Sequence, residues 1–168
     1  MIGSNLPIID LASYLDSSMD RKETAHAMRE ACKNVGFFYV KNHGVPEELV
    51  KSIFSNSYKF FSLPLEEKKE IRLELSERAM RGYYQNGEEM SNGKADFQEG
   101  LILGTEEGEN HPRVIDKVPL HGQNQYPKQI SELKTDIQAW LKELNRLGAL
   151  IMEVIAESLG LKRNYFNE

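Results

Sequence analysis

The sequence is short of several things: one cysteine and one tryptophan in 168 residues, no apolar run near membrane length, and no block of lysine and arginine standing clear of acids. Each shortage excludes something. A lone Cys32 cannot build an intrachain disulfide framework and suits a reducing compartment, so a cytoplasmic protein is expected. No stretch approaches the ~20 residues of a transmembrane helix, and no positively charged start leads into an apolar run, so neither membrane span nor leader is expected. With 26 acidic against 21 basic residues and a net charge of −5, the chain lacks the basic face that phosphate neutralisation needs. No nucleic-acid partner is expected. The 40% of apolar residues is enough for one ordinary domain with a real core.

Familiar catalytic signatures are missing as well. Neither G-x-x-x-x-G-K-[ST] nor a G-x-G-x-x-G after a strand occurs, so nucleotide use is not expected. No G-x-S-x-G elbow occurs, and Cys32 lies on a helical stretch without a neighbouring histidine, which leaves nucleophilic catalysis without a candidate. His26, His43, His111 and His121 show no H-x-x-x-H spacing. A non-haem iron site typically draws its first two ligands from His-x-Asp or His-x-Glu, and none of these histidines is followed by an acid two residues on. The acidic run Glu106-Glu107-Gly108-Glu109 reads as a solvated loop.

What is present is a series of well-punctuated elements. "LPII" at Leu6 to Ile9, closed by Asp10, reads as a first strand with its proline at the edge. From about Asp20 to Asn34, the residues Ala25, Met28, Ala31, Cys32 and Val35 recur at helical spacing, and Asp20 with Glu23 resembles a capping box. Cys32 falls in line with Ala25 and Met28, so it is expected to pack in the core as a small hydrophobe. Gly36 ends that helix. Phe37 to Val40 then read as a strand buried on both faces. Pro46 opens a second helix, with Glu47 and Glu48 at the positive end of its dipole and an apolar side running from Leu49 to Phe61. "SLPLEEKK" repeats the start signal at Pro64. Between Arg81 and Gln125, glycines and prolines break the chain into loops around short strands near Gly82 to Tyr84 and Phe97 to Leu103. A loop-rich stretch of this kind usually frames a site.

From Pro127 to Leu159, apolar residues recur every three or four positions, which predicts a helix of about 30 residues and roughly 45 Å. Its stripe has little sequence left to pack against. In "NHG" at Asn42 to Gly44, Asn42 and Gly44 tolerate left-handed backbone. His43 therefore reads first as a corner residue that bonds local backbone, and second as a substrate or metal contact with no visible partner.

Six segments in order, "LPIIDL", "ACKNVGFFYVKNHGVP", "FFSLPLEEKKE", "RGYY", "KADFQEGLILG" and "NQYP", give the chain a resemblance to the N-terminal region of the isopenicillin N synthase-like Fe(II)- and 2-oxoglutarate-dependent dioxygenases. That resemblance implies an α+β fold: the helical and short-strand part that precedes a double-stranded β-helix (jelly-roll), with a long helix near the C-terminus. It implies residues 1–127 as the N-terminal domain, 128–160 as the helix that packs on the jelly roll, and 161–168 as the start of the catalytic domain. In the family a His-x-Asp and a distant His hold iron, and an Arg-x-Ser holds 2-oxoglutarate. None of these motifs occurs here, so Fe(II) and 2-oxoglutarate are implied for the whole enzyme and no metal or catalytic residue is carried over to this chain. The "RGYY" strand edges the substrate pocket in the family. Arg81, Tyr83 and Tyr84 are therefore the substrate-facing candidates, with Arg81 suited to a substrate carboxylate; an ion pair on a surface strand with packed tyrosines is the alternative.

Two functions follow. The first is an N-terminal fragment of an oxygenase of small molecules, scaffold and part of the pocket, inactive alone. The second is a non-catalytic protein that self-associates through helix 128–160. There Ile130, Ile137, Leu144 and Ile151 with Leu133, Trp140, Leu147 and Val154 occupy heptad a and d places. Leu141, Leu150 and Ile155 broaden that stripe beyond a coiled-coil seam, and Gly148 weakens the helix. If the stripe and the strand at Phe37 await another domain, an exposed apolar patch above a few hundred Å² is expected.

Overall fold

The computed structural model describes residues 6–88 and 90–167. They form two compact units: one runs to Pro46 and resumes at Lys142, and the other is Glu47–Leu141.

In the first unit, β1 (Ile8–Asp10) and β2 (Tyr39–Lys41) pair in parallel, Ile9 facing Val40. Parallel neighbours need a crossover, and α1 (Ala12–Leu15) and α2 (Lys22–Asn34) supply it. The core gathers Ile9, Leu11, Tyr14, Met28 and Ala31 with Leu150 and Val154 of α6 (Leu133–Ser158), and Phe38, Val40, Leu147 and Ile151 close over it. Gly36, at φ +82°, ends α2: its N–H and that of Val35 both bond the Ala31 carbonyl, a turn that needs left-handed backbone. Arg21 and Arg163 stand over the Tyr14 ring at 5.5 and 5.7 Å, and the Tyr14 hydroxyl donates to Glu157.

The second unit carries α3 (Glu47–Phe61), α4 (Leu65–Lys69), a 3₁₀ segment (Leu73–Ala79), β3 (Gly82–Tyr84), β4 (Met90–Ser91), β5 (Lys94–Ala95), β6 (Gly100–Ile102), α5 (Pro112–Ile115) and the first turns of α6. β3 pairs antiparallel with β6, placing Tyr83 opposite Leu101 and Tyr84 opposite Gly100, and β4 with β5 makes a separate hairpin. Phe60, Ile71, Tyr83, Ile130, Leu133 and Ile137 form the core, with the Phe60 ring edge-on to Tyr83 at 5.9 Å. α3 is tied to α6 through polar groups too. The buried Asn56 gives an amide hydrogen to Asp136 at 2.8 Å, Ser52 donates to the same carboxylate, and Lys59 reaches Glu132 at 2.9 Å.

Several expectations need correction. The strand at Phe37 to Val40 is β2, shifted to Tyr39–Lys41, and only one face is covered: Phe38 and Val40 pack inward while Phe37 is 72% exposed. A three-residue strand with one neighbour alternates its side chains, so the bulky run cannot bury both faces. Cys32 is exposed. It lies next to Ala31 in the last turn of α2, but the core takes Met28 and Ala31 and leaves Cys32 outside. Asp20 does accept a hydrogen bond from the Lys22 N–H at 3.0 Å, yet Arg21 is the N-cap and no side chain caps there, so the box is not formed. The long helix starts at Leu133 rather than Pro127, because the bonds Ile130 N–H to Pro127 O and Leu133 N–H to Ile130 O close tighter i→i+3 turns first. Its apolar stripe is not left over: Leu133 and Ile137 complete one core, and Leu150 and Val154 the other. Nor is the acidic run all solvated, since the Glu106 and Glu107 carboxylates are both taken by hydrogen-bond donors.

Candidate functional site

His43 sits at a built corner. Asn42 (φ +53°) and Gly44 (φ +73°) flank it in left-handed backbone, and its Nδ1 accepts the Val45 N–H at 3.1 Å. The Asn42 amide donates to Asp10 Oδ1 at 2.9 Å, and Arg146 Nη2 donates to the His43 carbonyl at 3.0 Å. The Ala12 N–H, then Asn42 and Lys41, hold the Asp10 carboxyl down to about 2. With Nδ1 occupied by backbone, the ring acts as part of the turn.

The three pocket candidates meet at β3. Tyr83 is 2% exposed, and its hydroxyl donates to Glu99 Oε2 at 2.6 Å. The same oxygen takes Lys68 Nζ at 2.7 Å, and Lys68 lies 5.4 Å over the Tyr83 ring. Burial would raise the Glu99 carboxyl, but the Lys68 and Tyr83 hydrogen bonds and the Lys68 charge outweigh it and hold it below its ordinary value. Burial, then the bond to Glu99, pushes the Tyr83 phenol up. Tyr83 is thus a core residue with a satisfied hydroxyl, bringing "FFSLPLEEKKE", "RGYY" and "KADFQEG" together. The half-buried Tyr84 lies across Gly100, where a Cβ would overlap its ring. Only glycine admits that ring.

Arg81 is pinned. Nη1 donates to the Ala79 carbonyl at 3.1 Å and Nη2 to the Leu120 carbonyl at 2.9 Å, while Nε is buried with no hydrogen-bond partner among the described residues. A Cβ at residue 104 would overlap Nη2, so Gly104 gives the guanidinium its place. Gly104→Ala is expected to cost about 1–2 kcal/mol, since the colliding atoms belong to a flexible side chain that can retreat. A urea melt checks this, and an unchanged midpoint would show that Arg81 is not held there.

The sequence reading missed the network that holds this region. Asn124 takes the Gly104 N–H at 2.8 Å, and its amide group donates to the Gly104 carbonyl at 2.7 Å and Glu106 Oε2 at 2.9 Å. Tyr126 adds a bond to Glu106 at 3.0 Å, and burial followed by that bond pushes its phenol up to about 12. Gln125 reaches the carbonyls of Arg72 at 3.0 Å and Arg81 at 2.7 Å. Beside it, a cleft of about 700 Å³ opens between the 3₁₀ segment and the loop of Glu107, Lys117 and His121. Glu107, its side chain 12% exposed, accepts His121 Nδ1 at 2.7 Å, and His111 Nε2 lies 4.0 Å away. The available signal was the donor-rich run from His121 to Tyr126 following the acids at 106 and 107, partners that the chain must fold back to join.

Among the described residues, no three His, Cys, Asp or Glu side chains converge on a point that could hold a metal ion. Around Glu107 the two imidazoles approach the carboxylate itself instead of sharing a centre with it. These residues do not fit an iron site. No helix among the described residues is long and apolar enough to cross a membrane.

A mixed fold with short paired strands, a long last helix and this tightly bonded β3 region defines a class, and comparison with known proteins places it. Residues 6–129 match the family model described as "non-haem dioxygenase in morphine synthesis N-terminal", and the chain belongs to that family. A Dictyostelium discoideum protein named "Probable iron/ascorbate oxidoreductase" is 41% identical over 172 residues, which cover 96% of this chain and 47% of that protein. A 1-aminocyclopropane-1-carboxylate oxidase of Dictyostelium mucoroides is 36% identical over 163 residues, 96% of this chain and 44% of its own. The crystal structure of a full-length Neurospora crassa protein in complex with alpha-KG matches with a TM-score of 0.76 at 26% identity, over 96% of this chain and 49% of that one. The chain spans about half the length of the curated relatives it matches.

Proposed function

We propose that this chain is the scaffold and part of the substrate-pocket wall of an Fe(II)- and 2-oxoglutarate-dependent oxygenase of small molecules, acting in the cytoplasm and inactive by itself. The observation that carries this reading is the convergence of the motif segments on β3, where Lys68, Glu99, Tyr83, Gly104, Asn124 and Gln125 lock the strand without forming a metal-binding group. The names of the matched proteins, an oxidoreductase and an oxidase among them, support the reaction type. In this reading residues 1–127 are the N-terminal domain, the segment 128–160, which contains α6, lies along the jelly roll, and 161–168 lead into it. Of the three substrate-edge candidates, Arg81 directly before β3 and Tyr84 at its end are partly exposed, whereas Tyr83 is buried and would act on the pocket only by fixing the strand.

The alternative, association through helix 128–160, loses ground to the packing of that helix. Ile130, Leu133, Ile137, Leu150 and Val154 are all buried within the chain's own cores. A coiled-coil partner would have to displace them.

The purified chain, supplied with Fe(II), a reductant and 2-oxoglutarate, is expected to release succinate no faster than iron alone. Turnover above that background, abolished by a chelator, would overturn the proposal of inactivity.

A further inference from the structure

Strand β2 has one edge with no strand beside it. The Tyr39 N–H goes to the Pro7 carbonyl at 2.8 Å, and the Lys41 carbonyl takes the Leu11 N–H at 3.0 Å, so these two residues turn their backbone groups toward β1. Alternation along the strand turns the N–H and C=O of Phe38 and Val40 the other way, where the sheet ends and no hydrogen bond among the described residues reaches them. The outer edge of β1 is occupied instead: Thr24 Oγ1 of α2 donates to the Asp10 carbonyl at 3.1 Å. Beside the free edge the surface is apolar, with Phe37 72% exposed and Tyr39 and its cross-strand neighbour Ile8 62% each. Native sheets usually blunt such an edge with lysine, proline or a bulge. Here the one lysine of the strand, Lys41, is taken by Asp10 at 3.1 Å.

We infer that β2 pairs along this edge with β2 of a second copy of the chain, antiparallel about a twofold axis at Tyr39, joining the two sheets into one. The stretch Phe37-Phe38-Tyr39-Val40-Lys41 is self-complementary in that arrangement. Phe38 comes opposite Val40 of the second copy, and each such pair exchanges both backbone hydrogen bonds, so every free group on the two edges is used. Tyr39 meets Tyr39 of the second copy in the non-hydrogen-bonded pair, where side chains approach closest and aromatic pairs stabilise a sheet. Lys41 comes opposite Phe37 of the second copy, a cation beside an aromatic ring. No other antiparallel register uses Phe38 and Val40 of both copies, and Gly36 and Asn42, both in left-handed backbone, bound the stretch at its two ends. The pairing needs nothing of the scaffold role.

The contact closes on itself. Once the two β2 strands are paired, the joined sheet ends at each β1, whose outer edge α2 already occupies at Asp10, so growth stops at two copies. It is also small. A single short strand and its exposed aromatics on each side bury less than the ~1,200 Å² of a stable interface, so half-association is expected on the order of 100 µM.

Sedimentation equilibrium of the full chain from about 10 µM to 1 mM tests the pairing. The mass is expected to rise toward that of two chains and to stop there. Over the same range, hydrogen exchange at the Phe38 and Val40 amides should slow about fivefold, while the Tyr39 amide, already bonded to β1, should exchange at one rate throughout. Tyr39→Lys changes an exposed side chain but sets two lysines opposite each other on the twofold, and should weaken association about tenfold without shifting the melt of a dilute sample. A chain that stays monomeric at the highest concentration overturns the pairing and leaves the edge to a strand of another protein. Growth past two copies, association that leaves Phe38 and Val40 exchange unchanged, or association indifferent to Tyr39→Lys overturns it as well. Exchange in the wild type decides the matter even where the variant fails to fold.

Discussion

Gly82→Ala is expected to destabilise the chain by about 3–5 kcal/mol and to abolish its cooperative melt near physiological temperature. Gly82 opens β3 at φ +131°, where an L side chain is strained whatever the space. The space is also taken. A Cβ would overlap the Ile71 carbonyl oxygen and stand 2.6 Å from Gln125 Nε2. The first of these is backbone and cannot swing away, because the Ile71 oxygen accepts the Tyr83 N–H at 2.8 Å. The contrast with Gly104→Ala, where a mobile guanidinium gives way, is the informative part. Urea denaturation of both variants should rank them in that order, and near-equal costs would mean that the β3 region relaxes more freely than its bonding implies.

The second large effect lies at Glu99. Glu99→Gln keeps the shape but removes the charge, leaving Lys68, 7% exposed, with only the Phe61 carbonyl at 3.3 Å besides the new amide oxygen. Removing one partner of a buried pair costs ~3–5 kcal/mol, and the partial exposure of Glu99 brings this case below that range, to about 2–3. Replacing the whole cluster should cost far less: Lys68→Met, Tyr83→Phe and Glu99→Leu together leave no unpaired charge and take only the long Lys68 bond from the Phe61 carbonyl. A thermal melt that finds the triple variant as weak as Glu99→Gln would contradict this. The pH dependence follows from the lowered Glu99 carboxyl. Its contribution is present above the ordinary value of 4.5 and is lost as pH falls through the lower folded one, so acid unfolding should be shallower in Glu99→Gln.

The sequence disclosed what is local and withheld what is long-range. α2 and α3 followed from apolar spacing and stop signals such as Gly36 and Pro46, and β3 and β6 from their place among glycines. The motif segments named the family without any structure. Cys32 misled because helical spacing predicts which face is apolar but not which residues of that face are covered: Met28 and Ala31 are, and Cys32 is not. Phe37 misled because composition resembles a central strand while pairing makes β2 a short one with a single neighbour. The stripe of α6 looked unsatisfied since its partners, among them Ile9 and Met28 in one core and Phe60 and Tyr83 in the other, lie far away in the chain. Glu106 and Glu107 read as solvent-facing for the same reason: Asn124, Tyr126 and His121 reach them only once the loop closes. Arg81 is singled out by resemblance alone, but that its hydrogen bonds go to the Ala79 and Leu120 carbonyls could come only from the folded structure.

If the chain supplies pocket wall and none of the iron chemistry, as proposed, it should be silent in one assay above all. Anaerobic Fe(II) titration of the purified chain with 2-oxoglutarate, watched for the weak visible charge-transfer band of the chelate, should give no band and no stoichiometric metal uptake. A band that saturates at one iron per chain would refute the wall-only role and would place ligands among His43, His111 and His121 after all.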